Sequence, residues 1–242
     1  MHECVSALVQ KCVSADASAT DALTQSHINA IILDFDGTLA DTQPIIIASI
    51  QHTLRELHLP SRSDAECRSI IGLPLAQCFV TLCGVDSETA ERCADVYRRV
   101  FDELNTDGTV RLFPHVLETI KALHDRGLQL AICSSRGRPT LEGFVKTFRL
   151  EDYVGMVVSA NDVQHHKPHP EPVQKILAAL GVMPDEAVVV GDASYDILMG
   201  RNAGCRTVGV TYGNQSPAEL RAAGADMLID DFAQLLTYVS PM

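Results

Sequence analysis

The sequence lacks the features that direct a chain to an oxidising compartment, a membrane or nucleic acid. Its eight cysteines form no C-x-x-C pair, and several lie among apolar residues, which favours reduced, buried thiols in a cytoplasmic protein. Residues 1–28 contain no apolar run long enough for a secretory signal or a spanning helix. The net charge of -12 disfavours nonspecific contact with nucleic acid or an anionic membrane. We therefore expect a cytoplasmic globular protein that binds neither.

Short apolar runs alternate with amphipathic segments from residue 29 onward. The runs of strand length are residues 31–33, 128–133, 156–159, 187–190, 207–210 and 227–229. They lack the polar alternation of a half-exposed sheet, which indicates a parallel sheet covered on both faces. Between them, apolar residues recur at helical spacing, for example at Val173, Ile176 and Leu180. This order predicts an α/β fold with a doubly wound parallel sheet and right-handed crossovers.

One stretch interrupts the alternation. From Thr42 to about Arg111 the sequence shows helix signals and no convincing strand. Pro44 and Pro114 stand near its two ends, as they would in linkers. We predict a small helical domain at 43–111, inserted into a core formed by 29–42 and 112–242. Residues 1–28 are expected to be a loosely ordered extension.

Groups suited to one kind of chemistry follow four of the predicted strands. They are Asp34 and Asp36, Ser134 and Ser135, Lys167 in a proline-rich loop, and Asp192 with Asp196. Because ligands bind beyond the carboxyl ends of parallel strands, we expect these groups to converge on one crevice. Carboxylates packed together repel one another unless a cation neutralises them, and an all-oxygen set is typical of Mg²⁺ rather than zinc. The set predicts metal-assisted phosphoryl transfer.

Each of these signals has an ordinary structural explanation when it is taken alone. Paired aspartates or serines after a strand often cap a helix or stabilise a turn. Lys167 alone would be read as a solvated loop lysine. The presence of a suitable group at four separate strand ends favours a functional site.

The same segments resemble the four motifs of the haloacid dehalogenase superfamily. Asp34 to Leu39 reads D-F-D-G-T-L, like the first motif. Ser134, Lys167 before Pro168, and Gly191-Asp192 with Asp196 match the second, third and fourth motifs in order. The resemblance covers residues 29–239 and implies a Rossmann-like core. It also implies that the helical domain between the first two motifs is a cap of the C1 type.

The resemblance further implies a role for each motif residue. Asp34 would attack phosphorus and become a phospho-aspartate, while Asp36 would protonate the leaving oxygen and then activate water. Ser134, Ser135 and Lys167 would hold the phosphoryl oxygens. Mg²⁺ would be bound by Asp34, Asp192 and the main-chain carbonyl of Asp36. Asp196 would support Lys167 or a metal-bound water, and Thr38 would support the turn.

Asp36 selects among the reactions of the superfamily. Its dehalogenases and phosphonoacetaldehyde hydrolases lack this second aspartate, and the absence of lysine from Thr42 to Val110 also argues against imine chemistry. A phosphomutase similar to β-phosphoglucomutase stays open, although the histidine such enzymes place after the first motif is missing between Asp41 and Ile50. A receiver-like signalling domain would be about half as long and would lack Asp36. Hydrolysis of a phosphate monoester is favoured.

Among hydrolases, the chain is most similar to the phosphoglycolate phosphatase group, which includes pyrophosphatases. Gly72, in the segment I-G-L-P-L, resembles part of that group's substrate-specificity loop. Arg68 or Arg62 could bind a substrate carboxylate or second phosphate, but a solvated helix arginine is an equally good explanation. We expect a small-molecule phosphate substrate and a monomer or homodimer. The substrate itself depends on the cap surface and is left open.

Three local features depart from the pattern of relatives or invite another interpretation. His115 follows Pro114 where a glycine is common, and Arg136 stands where a lysine is frequent. The histidines at 165, 166 and 169 surround Lys167, and we interpret them as surface loop residues rather than a metal cluster.

Overall fold

The computed structural model describes residues 27–239. The predicted N-terminal extension therefore lies almost wholly outside the described residues. Eight strands are present in this part of the chain: β1 (Ala30–Leu33), β2 (Ala40–Asp41), β3 (Arg111–Leu112), β4 (Gln129–Cys133), β5 (Met156–Val158), β6 (Ala187–Gly191), β7 (Arg206–Val210) and β8 (Met227–Ile229). Six of them form one parallel sheet in the order β5-β4-β1-β6-β7-β8. This confirms the predicted α/β fold with a Rossmann-like parallel sheet.

Ten α-helices connect or flank these strands. They are α1 (Gln43–Glu56), α2 (Asp64–Ser69), α3 (Leu75–Cys83), α4 (Ser87–Leu104), α5 (Val116–Asp125), α6 (Arg138–Thr147), α7 (Glu171–Leu180), α8 (Ser194–Asn202), α9 (Pro217–Ala222) and α10 (Leu235–Tyr238) within the described residues. Local sequence explains several of their ends. Ser63 and Ser216 close capping boxes at the starts of α2 and α9, and Gly181 ends α7 in the left-handed conformation that glycine favours.

The two faces of the sheet explain why its strands are apolar throughout. Ile31 and Leu33 pack into one hydrophobic cluster, while Ala30 and Ile32 pack into a second cluster on the opposite face. All four residues are fully buried. Since side chains alternate between faces along a strand, a strand covered on both sides shows no polar alternation.

Strand register aligns the polar ends of the central strands. Leu33, at the end of β1, is paired with Ile132 of β4 and with Val190 of β6. The next residue, Asp34, continues the ladder, because its backbone N–H donates to the carbonyl of Val190 at 2.9 Å. Residues that follow these three strands therefore meet at one edge of the sheet.

Helices α1 to α4 lie between β1 and β4 in the sequence and pack against one another, and their buried residues join the hydrophobic cluster on one face of the sheet. Aromatic rings fill part of the space between these helices: Tyr97 contacts both Phe79 and Phe101, with ring centroids 6.3 and 5.8 Å apart. On either side of the helices in the sequence, β2 and β3 pair in antiparallel fashion, with Ala40 opposite Leu112. The sequence carried no sign of this pair, because two residues are too few to show a period. Below, residues 43–104 are called the helical insertion.

His115 shows how the chain accommodates a residue where relatives commonly have glycine. It adopts the left-handed conformation, with φ of 63°, immediately before α5. This region is costly for residues with a Cβ atom. Its ring Nδ1 lies 2.8 Å from a carboxylate oxygen of Asp231, a contact that glycine would lack.

A membrane-spanning helix needs about 20 predominantly apolar residues. Within residues 27–239, no helix combines the length and the apolar character needed to span a membrane.

Candidate active site

The C-terminal edge of the sheet gathers five buried polar residues from different parts of the chain. Asp34 follows β1, Ser134 follows β4 and Asp192 follows β6, while Asp196 lies in the first turn of α8 and Lys167 in the loop before α7. Their exposure ranges from 1% for Asp192 to 8% for Asp34. Burying so many ionisable groups is unfavourable unless they are paired or bind a cation.

Lys167 links two of the carboxylates. Its Nζ donates to Oδ1 of Asp34 at 2.5 Å and to Oδ1 of Asp196 at 2.7 Å. Burial by itself would lower the pKa of Lys167, but Asp196 and Asp34 outweigh it and hold that pKa well above the ordinary lysine value. The ammonium is therefore a permanent positive charge beside Asp34.

The carboxylates remain crowded despite this ammonium. Burial raises the pKa of Asp34 well above its ordinary value, Lys167 opposes that rise, and repulsion from Asp196 and Asp192 adds to it. Burial, followed by repulsion from Asp196, raises the pKa of Asp192 to about 7. Candidate ligand atoms of the three aspartates lie within 4.8 Å of one another. Such a set of oxygen donors suits a hard divalent cation such as Mg²⁺.

Asp192 is oriented so that one of its oxygens stays largely free. Its Oδ2 accepts hydrogen bonds from the backbone N–H of Asn214 at 2.7 Å and from the Asn214 side chain at 2.6 Å. Its Oδ1 accepts one long bond, at 3.4 Å, from the hydroxyl of Thr38. Asn214 had no place among the sequence predictions, since it lies in a loop 22 residues after Asp192 with no motif of its own.

Gly37 is required by the close approach of the first-motif turn to Asp192. It has a φ of +82°, and a Cβ atom built on it would lie 2.2 Å from Oδ2 of Asp192. Any other residue would clash with the carboxylate as well as strain the backbone. The glycine of the D-x-D-G-T segment thus lets the turn lie against Asp192.

Arg136 is a buried cation that sequence reasoning noted only as a departure from lysine. Its Nε and Nη2 donate to the two carboxylate oxygens of Asp36, at 3.1 and 2.5 Å. The guanidinium lies over the ring of Phe101 at 4.6 Å from the centroid and also contacts Phe144 at 5.3 Å. The sequence feature that could have indicated this contact is the position of Arg136, which directly follows Ser134-Ser135 at a strand end.

The two serines after β4 have different surroundings. The hydroxyl of Ser134 is buried at the sheet edge and accepts a bond from the backbone N–H of Arg136 at 3.1 Å. The hydroxyl of Ser135 donates instead to the carbonyl of Gly72, in the helical insertion, at 2.6 Å. Ser135 therefore links the core to the Gly72 loop.

Comparison with known proteins identifies the family. A sequence profile described as haloacid dehalogenase-like hydrolase matches residues 31–210. The chain belongs to this family. The resemblance inferred from the four motifs is confirmed, and the chain is a hydrolase of the haloacid dehalogenase type.

Individual relatives of this hydrolase are similar over most of its length. It is 37% identical to pyrophosphatase PpaX of Bacillus pumilus over 217 residues, which cover 90% of this chain and 99% of the relative. It is 33% identical to pyrophosphatase PpaX of Anoxybacillus flavithermus, over 87% of this chain and 96% of the relative.

Solved structures show the same fold. A haloacid dehalogenase-like hydrolase from Bacteroides fragilis aligns with a TM-score of 0.81 and 28% identity, covering 86% of this chain and 99% of that one. A protein described as a predicted phosphoglycolate phosphatase from Haemophilus somnus aligns with a TM-score of 0.79 and 25% identity, covering 90% and 100%.

A cavity of about 680 Å³ opens from the sheet edge of this hydrolase toward the helical insertion. Its polar lining includes Asp34, Asp36, Ser134, Arg136, Asn161 and His166, and its apolar lining includes Ile46, Ile50, Ile70, Ile71, Leu73, Leu75 and Phe101. Gly72, with φ of +104°, lies in this wall. Asp34 and residues of the helical insertion therefore line the same cavity.

Neither Arg68 nor Arg62, the two arginines considered as substrate ligands, is among the residues that line the cavity. Arg68 is exposed on α2 and is not among the residues that line the cavity, which is what a solvated helix arginine would show. Arg62 lies 3.5 Å from Glu66 in an ion pair. Arg98 of α4 does line the cavity and also pairs with Asp95 at 2.6 Å.

The histidines near Lys167 fall into two groups. His165 and His169 are exposed, as their surface-loop interpretation requires, and their rings stack with centroids 4.4 Å apart. With Glu171, they offer atoms close enough together to hold a metal ion. His166 is half-buried and lines the cavity next to Lys167.

Proposed function

We propose that this hydrolase is a Mg²⁺-dependent phosphatase that cleaves small-molecule phosphate monoesters through a phospho-aspartate formed on Asp34. The observation that carries the proposal is that Asp34, which lines the cavity, lies buried beside Lys167 and Asp192. The names of the relatives, pyrophosphatase and phosphoglycolate phosphatase, support phosphate-ester or phosphoanhydride substrates.

The residues present fit a divalent metal. Asp34 and Asp192 offer carboxylate oxygens, burial and then repulsion from neighbouring carboxylates raise the pKa of both, and Oδ1 of Asp192 has one weak partner. We assign the metal to these two side chains and the main-chain carbonyl of Asp36. Asp196, which bonds Lys167, is assigned to supporting that lysine. When bound, the cation supplies positive charge beside the phosphoryl oxygens.

In the proposed reaction, Asp34 is the nucleophile, Asp36 is first the acid and then the base, and Lys167 and Ser134 hold the phosphoryl group. A carboxylate oxygen of Asp34 attacks phosphorus while the bond to the leaving oxygen breaks, and Asp36 gives that oxygen a proton. Lys167 and the Ser134 hydroxyl donate to the phosphoryl oxygens during transfer. Asp36 then takes a proton from water, whose oxygen attacks phosphorus and releases Asp34 and phosphate. Phosphate and the free alcohol are the products.

We further propose that residues 43–111 act as a cap over the cavity. Ser135 contributes by holding the Gly72 loop against the core, since its hydroxyl donates to Gly72 and not toward the sheet edge. Thr38 supports the metal side by bonding Asp192, and its own carbonyl accepts from the Tyr212 hydroxyl at 3.0 Å. We also place the enzyme in the cytoplasm, where the free cysteines of the described residues would stay reduced.

The test is phosphate release from a panel of substrates with and without Mg²⁺. The panel contains p-nitrophenyl phosphate, phosphoglycolate, pyrophosphate, sugar phosphates and nucleotides, and conversion of glucose 1-phosphate to glucose 6-phosphate is measured beside it. We expect Mg²⁺-dependent release from a monoester, abolished in Asp34→Asn. Pyrophosphate is the second candidate substrate because the curated relatives at 33–37% identity carry that name.

Three outcomes would count against the proposal. Full turnover by Asp34→Asn would remove the nucleophile assignment. A stable phospho-aspartate without turnover would favour a receiver-like signalling domain. Efficient isomerisation of glucose phosphate with little release of phosphate would favour a phosphomutase.

A further inference from the structure

Arg136 is a buried cation beside the proposed site, and the proposed reaction gives it no role. Its side chain is 8% exposed and carries a full positive charge, so its burial requires a compensating partner. That partner is Asp36, which receives both bonds of the guanidinium fork. Planar two-bond pairing of this kind fixes the direction of a carboxylate as well as its position.

Within residues 27–239, Arg136 is the one side chain that hydrogen-bonds the Asp36 carboxylate. Rotation of this carboxylate about its terminal bond is therefore limited by a single neighbour. A general acid must lie within hydrogen-bond reach of the leaving oxygen in the right direction, so this restraint acts on the proton transfer itself.

Arg136 also lies between the core and the helical insertion. One face of the guanidinium contacts Phe101 of α4, and Phe144 of α6 in the core is a second aromatic neighbour. Cation–π contacts of this kind stabilise the guanidinium, and more so when water is excluded. A shift of α4 would change the contact with Phe101 and hence the position of Arg136.

We propose that Arg136 is a positioning residue that aims the Asp36 carboxylate at the leaving oxygen and couples that aim to the position of α4. The inference rests on the proposed function, in which Asp36 is the acid. It assigns Arg136 to proton transfer rather than to binding of the phosphoryl group, which is left to Lys167 and Ser134.

The decisive measurement compares two esters that differ in their need for an acid. p-Nitrophenolate leaves readily without a proton, whereas an alkoxide needs one. In Arg136→Gln we expect kcat/KM for an alkyl monoester such as glycerol phosphate to fall by about 100-fold, within the usual range for loss of general acid catalysis. For p-nitrophenyl phosphate we expect kcat/KM to fall by less than about 5-fold. This ratio reports the steps up to release of the leaving group, so the later hydrolysis of the phospho-aspartate, in which Asp36 also acts, does not enter it.

Two further variants check that the effect belongs to this contact. Arg136→Lys keeps the positive charge but donates to one oxygen of Asp36 instead of two. Its rate with the alkyl ester should lie about tenfold or more above that of Arg136→Gln. Arg99→Gln is the matched control, because Arg99 lies on α4 near Phe101 but forms exposed ion pairs with Glu56 and Glu103. Its kcat/KM values for both esters should equal those of the wild-type enzyme.

A double-mutant cycle then tests whether Arg136 acts through Asp36. Asp36→Asn should lower turnover of the alkyl ester, and adding Arg136→Gln should lower it no further. Additive losses, or a large rise in KM, would overturn the inference and make Arg136 a substrate ligand. Equal losses of kcat/KM with both esters would overturn it by showing a merely structural role.

The link to α4 has its own pair of variants. Phe101→Leu removes the ring beneath the guanidinium, whereas Phe79→Leu removes another fully buried ring of the helical insertion that does not line the cavity. We expect an alkyl-selective loss of several-fold only in Phe101→Leu, with both variants destabilised to a similar extent. Equal kinetic behaviour of the two variants would overturn the coupling to α4.

The variants Asp36→Asn and Arg136→Gln together separate an error in the role of Arg136 from an error in the proposed function. If Asp36→Asn retains the wild-type rate on the alkyl ester, the acid assignment itself is wrong. If Asp36→Asn loses that rate and Arg136→Gln does not, the proposed function stands and only the role of Arg136 is overturned.

Discussion

Charged residues are buried at the sheet edge and lie at the surface in the helical insertion. At the sheet edge, Lys167, Asp34 and Asp196 form ion pairs with no more than 9% of any side chain exposed. In the insertion, Arg99 is 49% exposed and pairs with Glu56 and Glu103 at the surface. The interior of the insertion is filled by apolar and aromatic side chains instead.

This contrast indicates what each region is built for. Buried ion pairs are weak contributors to stability, because removing charges from water cancels much of their attraction. Their presence at the sheet edge is explained by the reaction that we propose there. The insertion obtains its stability from packing, and its charges can change without a large effect. Arg136 is the exception, since it is a buried charge at the contact between the two regions.

The largest effect is expected when a buried charge is removed from the sheet edge. In Lys167→Met, the carboxylates of Asp34 and Asp196 lose their shared ammonium, which should cost about 3–5 kcal/mol of unfolding free energy. Turnover should fall by at least about 1,000-fold, because a phosphoryl ligand is lost. Urea unfolding and phosphate release measure the two effects. Lys175→Met, at an exposed lysine, should change neither, and equal behaviour of the two variants would refute the contrast.

A loss of stability without a loss of intrinsic activity is expected in the insertion. Phe79→Ala removes a fully buried ring and should lower the unfolding free energy by about 3–5 kcal/mol. The ring does not line the cavity, so the rate per folded molecule should stay near wild type. Active-site titration combined with phosphate release would measure this. A rate per folded molecule reduced by tenfold would show that the two regions are not separable in this way.

A pH effect on stability is expected at the sheet edge of the metal-free enzyme. The folded-state pKa of Asp192 is raised to about 7 from an ordinary value of 3.8, so folding favours its protonated form. The associated stability is fully present below about pH 4 and is lost as pH rises toward and through 7. Inside that window the loss is about 1.4 kcal/mol for each pH unit.

Thermal unfolding in EDTA between pH 4 and pH 8 measures this prediction. Mg²⁺ should restore much of the lost stability, because a cation bound to the carboxylates stabilises their ionised form. The variant Asp192→Asn should show a smaller dependence on pH. A stability of the metal-free enzyme that rises between pH 5 and pH 7 would contradict the prediction.

The smallest effect is expected at the surface of the insertion. Arg99→Gln breaks exposed ion pairs and should change the unfolding free energy by less than about 1 kcal/mol. Chemical denaturation at low and high salt would reveal the change, which should shrink as salt rises. A loss above 2 kcal/mol would mean that the surface charges of the insertion form a stabilising network.

Sequence reasoning reached the fold and the composition of the sheet edge because both follow local rules. Apolar runs predicted the strands, and the residues after Leu33, Cys133 and Gly191 had to meet once those strands were parallel neighbours. It did not reach the direction of side chains. Ser134 and Ser135 are adjacent in sequence, yet the hydroxyl of Ser135 donates to Gly72 in the insertion.

The sequence by itself determined which groups are delivered to the sheet edge, since chain continuity places Asp34, Ser134 and Asp192 directly after their strands. Only the tertiary structure decided how those groups are paired. Lys167 meets Asp34 across 133 positions, and Arg136 meets Asp36 across 100. Contacts between such distant positions depend on the packing of whole helices and loops, and neither propensity nor periodicity carries that information.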